Sequence, residues 1–152
     1  MNIAEMLTPS RICLQVRAET KEEVLNELIG ILEKNGDLED VQEVTRVIFE
    51  REKLMSTGIG HGIALPHGKT NAVKHTSAAM ITLAQPVDYD SLDNQPVQLA
   101  IMLVGKENQV STHLKLLSKI SRIIANESFR HYAIDAENAE QIHKLFEEAD
   151  EN

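Results

Sequence analysis

The chain has 152 residues, 42% of them hydrophobic, and 15 Lys and Arg against 24 Asp and Glu leave a net charge of −9, which sets it against phosphate-backbone binding. This is the size and composition of one soluble domain with a real core, and its single cysteine, Cys13, excludes an internal disulfide and a thiolate-rich structural metal site. With no basic, apolar leader at the N-terminus and no run near the ~20 apolar residues that span a bilayer, a cytoplasmic setting is expected.

The stretch Arg11-Ile12-Cys13-Leu14-Gln15-Val16 has the apolar, partly alternating character of a strand, and Cys13 reads as a small buried hydrophobe. Thr20-Lys21-Glu22-Glu23 is a capping box. Behind it, Val24, Leu25, Leu28, Ile31 and Leu32 form one helical face, and Asn35-Gly36 is its stop. A second box, Asp40-Val41-Gln42-Glu43, opens a helix whose stripe of Val41, Val44 and Ile48 continues to Arg51. Three later segments read as strands: Gly62 to Leu65, Ser77 to Leu83 and Val97 to Val104, the last two nearly continuous in apolar residues and suited to burial on both faces.

Between the last two strands, Asp88 to Pro96 is dense in turn formers and is expected as a surface loop. From Ser111 the pattern is helical again, with Ser111 or Thr112 as N-cap and His113 in the first turn. A last helix begins near Asn138, with Gln141 three residues on, and Asp150-Glu151-Asn152 reads as a short acidic tail. Helices at both ends around several strands predict a single α/β domain over residues 1–149, with the tail beyond it.

The chemistry concentrates in Ser56-Thr57-Gly58-Ile59-Gly60-His61-Gly62-Ile63-Ala64-Leu65-Pro66-His67-Gly68-Lys69. It is neither a dinucleotide fingerprint, because position 63 is Ile, nor a Walker A loop. His67, between a proline and a glycine at a strand end, is placed to present its ring in a fixed direction. A neutral imidazole is a competent nucleophile near pH 7, and its attack on a phosphoryl donor gives a phosphohistidine. Arg51 can present a planar fork of donors to phosphate, and His113 brings the amides of a helix N-terminus. From residue types alone, other readings stay open: a turn histidine without chemistry, a helix-end cation, or a metal site built from His61, His67 and His113. His75, His131 and His143 read as structural.

The run Arg51-Glu52-Lys53, the stretch Ser56 to Lys69, Asp93-Asn94-Gln95-Pro96-Val97 and Thr112-His113-Leu114 together resemble the IIA phosphocarriers of the bacterial phosphoenolpyruvate-dependent sugar phosphotransferase system, of the fructose and mannitol superfamily. The resemblance covers essentially the whole chain. It implies a mixed, mostly parallel sheet with helices on both faces. It also implies that His67 accepts a phosphoryl group from an HPr-type or NPr-type phosphocarrier and passes it to a IIB partner. Arg51 and His113 fall on the family's helper positions, and Thr57, Gly58, Gly60 and Gly68 would shape the pocket, with no cofactor needed. Among the subtypes, the stand-alone nitrogen-regulatory IIA proteins are the most similar, which implies binding to regulatory targets such as potassium transport components; a sugar-permease component is the alternative. The sequence departs from the pattern at Met55, where a small residue is expected, and carries His61 between the glycines.

Overall fold

The computed structural model describes residues 2–151. The chain enters through a one-turn helix, α1 (Ile3–Met6), and a 3-10 turn at Pro9–Arg11. The first strand is β1 (Ile12–Val16), followed by α2 (Lys21–Lys34) and α3 (Val41–Leu54). The glycine-rich stretch folds as three short strands, β2 (Gly58–Gly60), β3 (Ile63–Ala64) and β4 (His67–Lys69). Two long strands, β5 (Ser77–Val87) and β6 (Val97–Gly105), lead into α4 (Val110–Ala125), α5 (Glu127–Asp135) and α6 (Ala139–Asp150).

The strands form one sheet in the order β1-β5-β6-β3-β2, with β4 also paired to β6. β1 runs parallel to β5, and β3 and β4 run parallel to β6, whereas β5/β6 and β2/β3 are antiparallel. β3 and β4 are one strand in two pieces: Ile63 and Ala64 lie beside Leu99 and Ala100, and His67 to Lys69 beside Leu103 to Gly105. Pro66, which has no N–H to give a ladder, stands at the break, while its carbonyl still accepts from Leu103 N at 3.0 Å.

The apolar runs of β5 and β6 are covered on both faces, as their composition predicts. Ala79 and Ile81 with Ala100, Met102 and Val104 face a core built with α2 and α3. Ala78 and Met80 with Leu99, Ile101 and Leu103 face the opposite core, made with α1, α4, α5 and α6. The architecture is the expected mixed, mostly parallel α/β sheet between helical layers.

Several local expectations change. Thr20 and Glu23 close a full reciprocal box at α2, but the box at α3 is half formed: Asp40 accepts from Glu43 N, while the Glu43 carboxylate pairs with Arg46. The stripe of α3 continues by fours, Val44 to Ile48 to Glu52, so the buried residue at the helix end is Glu52, with Arg51 beside it and half-buried. β5 runs past Leu83 to Val87 through a register shift. The 88–96 loop is not wholly superficial, because Tyr89 and Ser91 are buried within it. α4 starts two to three residues earlier than expected, with Gln109 rather than Ser111 or Thr112 at the N-cap position and without a side-chain cap. A separate helix, α5, capped by Asn126, follows it. Cys13 is half-buried, and burial raises its thiol pKa.

Asp150, expected in the tail, ends α6 and joins the fold. Its carboxylate accepts from the amides of Ile3 (3.1 Å) and Ala4 (2.8 Å) and pairs with Lys119 at 2.6 Å. The α1 amides have no cap of their own, so the last turn of the chain supplies one. Asn152 lies outside the described residues.

Candidate functional site

Three segments meet around His67: the C-terminal turn of α3, the β2–β4 stretch, and the first turn of α4. His67 opens β4 and is half-buried. Its Nδ1 lies 2.8 Å from the carbonyl of Leu65. A carbonyl oxygen can only accept, so Nδ1 carries the proton and Nε2 carries the lone pair. Burial is the largest influence on the ring and holds its pKa below the ordinary histidine value; the charge of Arg51 acts in the same direction, while the Leu65 bond and Glu52 oppose it. The ring is therefore neutral at pH 7, with one basic nitrogen free.

His113 sits in the first turn of α4 and is buried, its ring centroid 6.0 Å from that of His67 and tilted by 48°. Burial, followed by the charges of His67 and Lys69, lowers its pKa to about 4, so it too is neutral. It fits because Gly105 precedes it at the end of β6: a Cβ on Gly105 would stand 2.5 Å from His113 Nδ1. That Nδ1 is buried and has no hydrogen-bond partner among the described residues. Among the helices longer than one turn, α2, α3, α5 and α6 each begin with a side-chain cap and α4 does not, which leaves its first amides uncapped beside the two rings.

Arg51 reaches forward to the helix end, Nη1 donating to the carbonyl of Met55, the C-cap residue of α3, at 3.0 Å. Met55 itself is extended, at φ −166°, and 61% exposed. A glycine is thus not required there by backbone conformation. The larger side chain simply stands on the surface.

Thr57 is buried and lies at the hub of the segment. Its N–H and hydroxyl both donate to Glu52, at 2.7 and 2.5 Å, and its carbonyl accepts from Leu65 N at 2.9 Å. Tyr89 OH also donates to Glu52 at 3.2 Å, and Lys21 pairs with it at 2.8 Å. Burial works against the charge of Glu52, but Lys21 and the two Thr57 donors outweigh it and hold the carboxyl below its ordinary range. Burial and the same carboxylate push the Tyr89 phenol up.

The glycines each have a separate reason to be there. Gly58 allows the close approach of Ser91, whose Oγ would be 2.4 Å from a Cβ. Gly60, at φ +99°, leads into a hairpin turn where His61 and Gly62 have φ of 58° and 80°, as a tight two-residue connection requires. Gly68 lies under α3, where a Cβ would press on Val47 and Ile48 at 3.0 and 3.3 Å. His61 is exposed at the turn, its amide held by Asp93 at 3.0 Å. The trio His61, His67 and His113 does not converge: among the described residues no three His, Cys, Asp or Glu side chains form a group able to hold a metal ion.

Of the expected residues, His67 and His113 share a ring contact, and Arg51 joins them through its charge. Thr57 lies behind them. Glu52, Lys21, Tyr89 and the Leu65 carbonyl are additions. The signal for Glu52 was present in the four-residue spacing from Val44 and Ile48, which places an acidic side chain on a buried face. Nothing local marks Lys21 or Tyr89, whose roles depend on tertiary contacts.

Residues 5–149 match the family model described as phosphoenolpyruvate-dependent sugar phosphotransferase system, EIIA 2. A fructose-specific EIIABC component from Bacillus subtilis is 38% identical over 150 residues, covering 99% of this chain and 24% of that protein. A nitrogen regulatory protein from Pseudomonas aeruginosa is 31% identical over 145 residues, covering 95% of this chain and 94% of that protein. The crystal structure of nitrogen regulatory protein IIA-Ntr from Neisseria meningitidis superposes with a TM-score of 0.88 at 34% identity, covering 95% of this chain and 98% of that one. The chain thus spans about a quarter or less of the multidomain relatives, at 24% and 17% of their lengths, but nearly all of the nitrogen regulatory proteins. With a matched family model over nearly all of its length, the chain belongs to the EIIA type 2 family of the phosphoenolpyruvate-dependent sugar phosphotransferase system.

Proposed function

We propose that this chain is a cytoplasmic phosphocarrier in which Nε2 of His67 takes a phosphoryl group from a histidine-phosphorylated donor of the HPr or NPr type. The observation that carries the reading is the bond from His67 Nδ1 to the Leu65 carbonyl, which leaves Nε2 as the free lone pair. In the transfer, Nε2 attacks phosphorus while the donor's P–N bond breaks, and that electron pair returns to the donor's ring. The Nδ1 proton stays on its bond to Leu65. Arg51 supplies the fixed positive charge for the arriving phosphoryl oxygens, and the uncapped amides of α4 add donors. His113, kept neutral by its burial, backs the His67 ring without competing for the proton.

The surroundings suit a protein donor. Leu54, Met55, Ile59, Leu92, Val110 and Leu114 are exposed apolar side chains, and all lie on the segments that frame His67 or on the loop tied to Gly58 by the Leu92 N–H (3.0 Å). Such a patch, uncommon on an isolated acidic surface, supports docking of a partner over the ring.

The output is regulatory: phosphorylation of His67 adds about two negative charges to a site whose framing segments carry these exposed apolar side chains, altering which targets dock, potassium transport components among them. The similarity to nitrogen regulatory proteins over nearly their full length supports this branch. A second reading is relay to the IIB domain of a sugar permease, favoured by the 38% identity to a fructose-specific component.

The test is transfer from phosphoenolpyruvate through purified enzyme I and either donor type, read by intact mass and acid lability. Acid-labile label on the wild-type chain and none on His67→Ala is the expected result; label retained by His67→Ala overturns it. Partners captured by wild type, His67→Ala and His67→Glu then separate the branches, because identical sets contradict a regulatory output.

A further inference from the structure

Glu52 is an acidic side chain buried to 7% exposure, and four donors from three parts of the fold converge on its two oxygens. Lys21 Nζ, at the start of α2, and Thr57 N–H reach Oε2 at 2.8 and 2.7 Å. The Thr57 hydroxyl and Tyr89 OH reach Oε1 at 2.5 and 3.2 Å. Lys21 also lies over the Tyr89 ring, 4.7 Å from its centroid. A carboxylate is the side chain that accepts on both ends, so this cluster is built for Glu52 in its charged form.

The cluster leads to the site by an unbroken series of bonds. Glu52 holds Thr57 by its N–H and hydroxyl; the Thr57 carbonyl holds Leu65 N at 2.9 Å; the Leu65 carbonyl holds His67 Nδ1 at 2.8 Å. Each link fixes the next residue's position. We propose that Glu52 is a positioning residue for His67, acting through Thr57 and Leu65 to fix the orientation and tautomer of the ring. The inference rests on His67 being the reacting group. Glu52 touches neither the ring nor a phosphoryl group in this arrangement, and it follows Arg51 directly, so one helix turn carries both a cation for phosphate and the anchor of the ring.

A second effect is electrostatic. The charged groups that act on the His67 ring are Arg51 and Glu52 from α3, with opposite sign; His113 from α4 faces it as a neutral ring, and Lys69, two residues along β4, acts on His113. Removing the Glu52 charge leaves Arg51 unopposed and lowers the affinity of the ring for a proton.

The experiment is ring-nitrogen NMR of the unphosphorylated full chain across pH, with Glu52→Gln and Thr57→Val, alongside transfer kinetics. Gln presents one acceptor oxygen and turns an NH2 towards two donors. Wild type is expected to show the Nδ1–H tautomer alone. Glu52→Gln should mix the tautomers, lower the titration midpoint of His67, and slow transfer by about tenfold with the KM for donor unchanged. A folded Glu52→Gln with the wild-type tautomer and midpoint overturns the proposal. Should Glu52→Gln fail to fold, Thr57→Val decides it, because that variant removes the shortest bond to the carboxylate and keeps the backbone link. Tautomer mixing supports the role of Glu52, and an unaltered ring overturns it. Because the ring spectra need no phosphoryl donor, they judge Glu52 even if wild type accepts no label, a result that would overturn the phosphocarrier reading alone.

Discussion

The rings of His67 and His113 lie 6.0 Å apart at an angle of 48°, and a proton on His67 would make one on His113 still less favourable. Both are therefore set to be neutral across the physiological range. On the proposed function, Nε2 must keep its lone pair to attack phosphorus, so acid should stop the transfer. The rate of phosphorylation should be flat above pH 7 and fall on acidification with a midpoint below 6.5, the ordinary histidine value from which burial lowers His67. Single-turnover labelling between pH 5 and 8 checks this, with the donor held in excess and its own titration measured separately.

Stability should carry the mark of His113. Its pKa is about 4 when folded, against 6.5 for the ordinary group. The unfolded chain thus binds this proton first as pH falls. The stabilisation is present above 6.5 and is lost towards 4, and between pH 7 and 5 the loss is about 2 kcal/mol. Urea denaturation of His113→Gln should show that much less sensitivity to acid than wild type over the same interval.

Gly105 and His113 form a space-sharing pair. Gly105→Ala places a methyl 2.5 Å from Nδ1 and must displace the ring or the strand, at a cost of about 1–3 kcal/mol. In the His113→Ala background most of that cost should vanish. A double-mutant cycle on unfolding free energies measures the coupling, and additivity would show that the strain falls elsewhere.

The apolar rim can be separated from the chemistry. Leu54 is 82% exposed and Leu114 60% exposed, so Leu54→Glu with Leu114→Glu should change stability by less than about 0.5 kcal/mol. Docking of a donor should suffer instead, with kcat/KM for transfer falling about tenfold or more through KM. Steady-state transfer with varied donor concentration separates the two parameters.

Much of this was legible in advance because local chemistry and tertiary environment agree. Thr20 and Glu23 cap α2 whatever packs against it, and the apolar runs of β5 and β6 announce burial on both faces. His67 stood out because Pro66 and Gly68 bracket it. What escaped was decided at a distance. The stripe of Val41, Val44 and Ile48 continues in register to Arg51, because a step of three is as helical as a step of four, yet the buried position belongs to Glu52 and is made tolerable only by Lys21, Thr57 and Tyr89. The 88–96 segment has the composition of a surface loop, and its buried Tyr89 owes its place to a carboxylate 37 residues earlier. Ser111 and Thr112 are good caps by type, but the helix begins before either can serve.

Asp150 has a consequence for how this unit travels between proteins. By gripping the amides of Ile3 and Ala4, it brings the entry and exit of the fold to one corner, a short step apart. A unit with coincident ends can be spliced into a longer polypeptide, or have its order of segments rearranged around a new opening, without stretching its interior. A permuted chain with residues 150 and 3 joined by a brief linker and opened at the exposed Glu107-Asn108 turn should keep the sheet intact, and its retention of the His67 tautomer would show that the setting of this ring is indifferent to where the polypeptide starts.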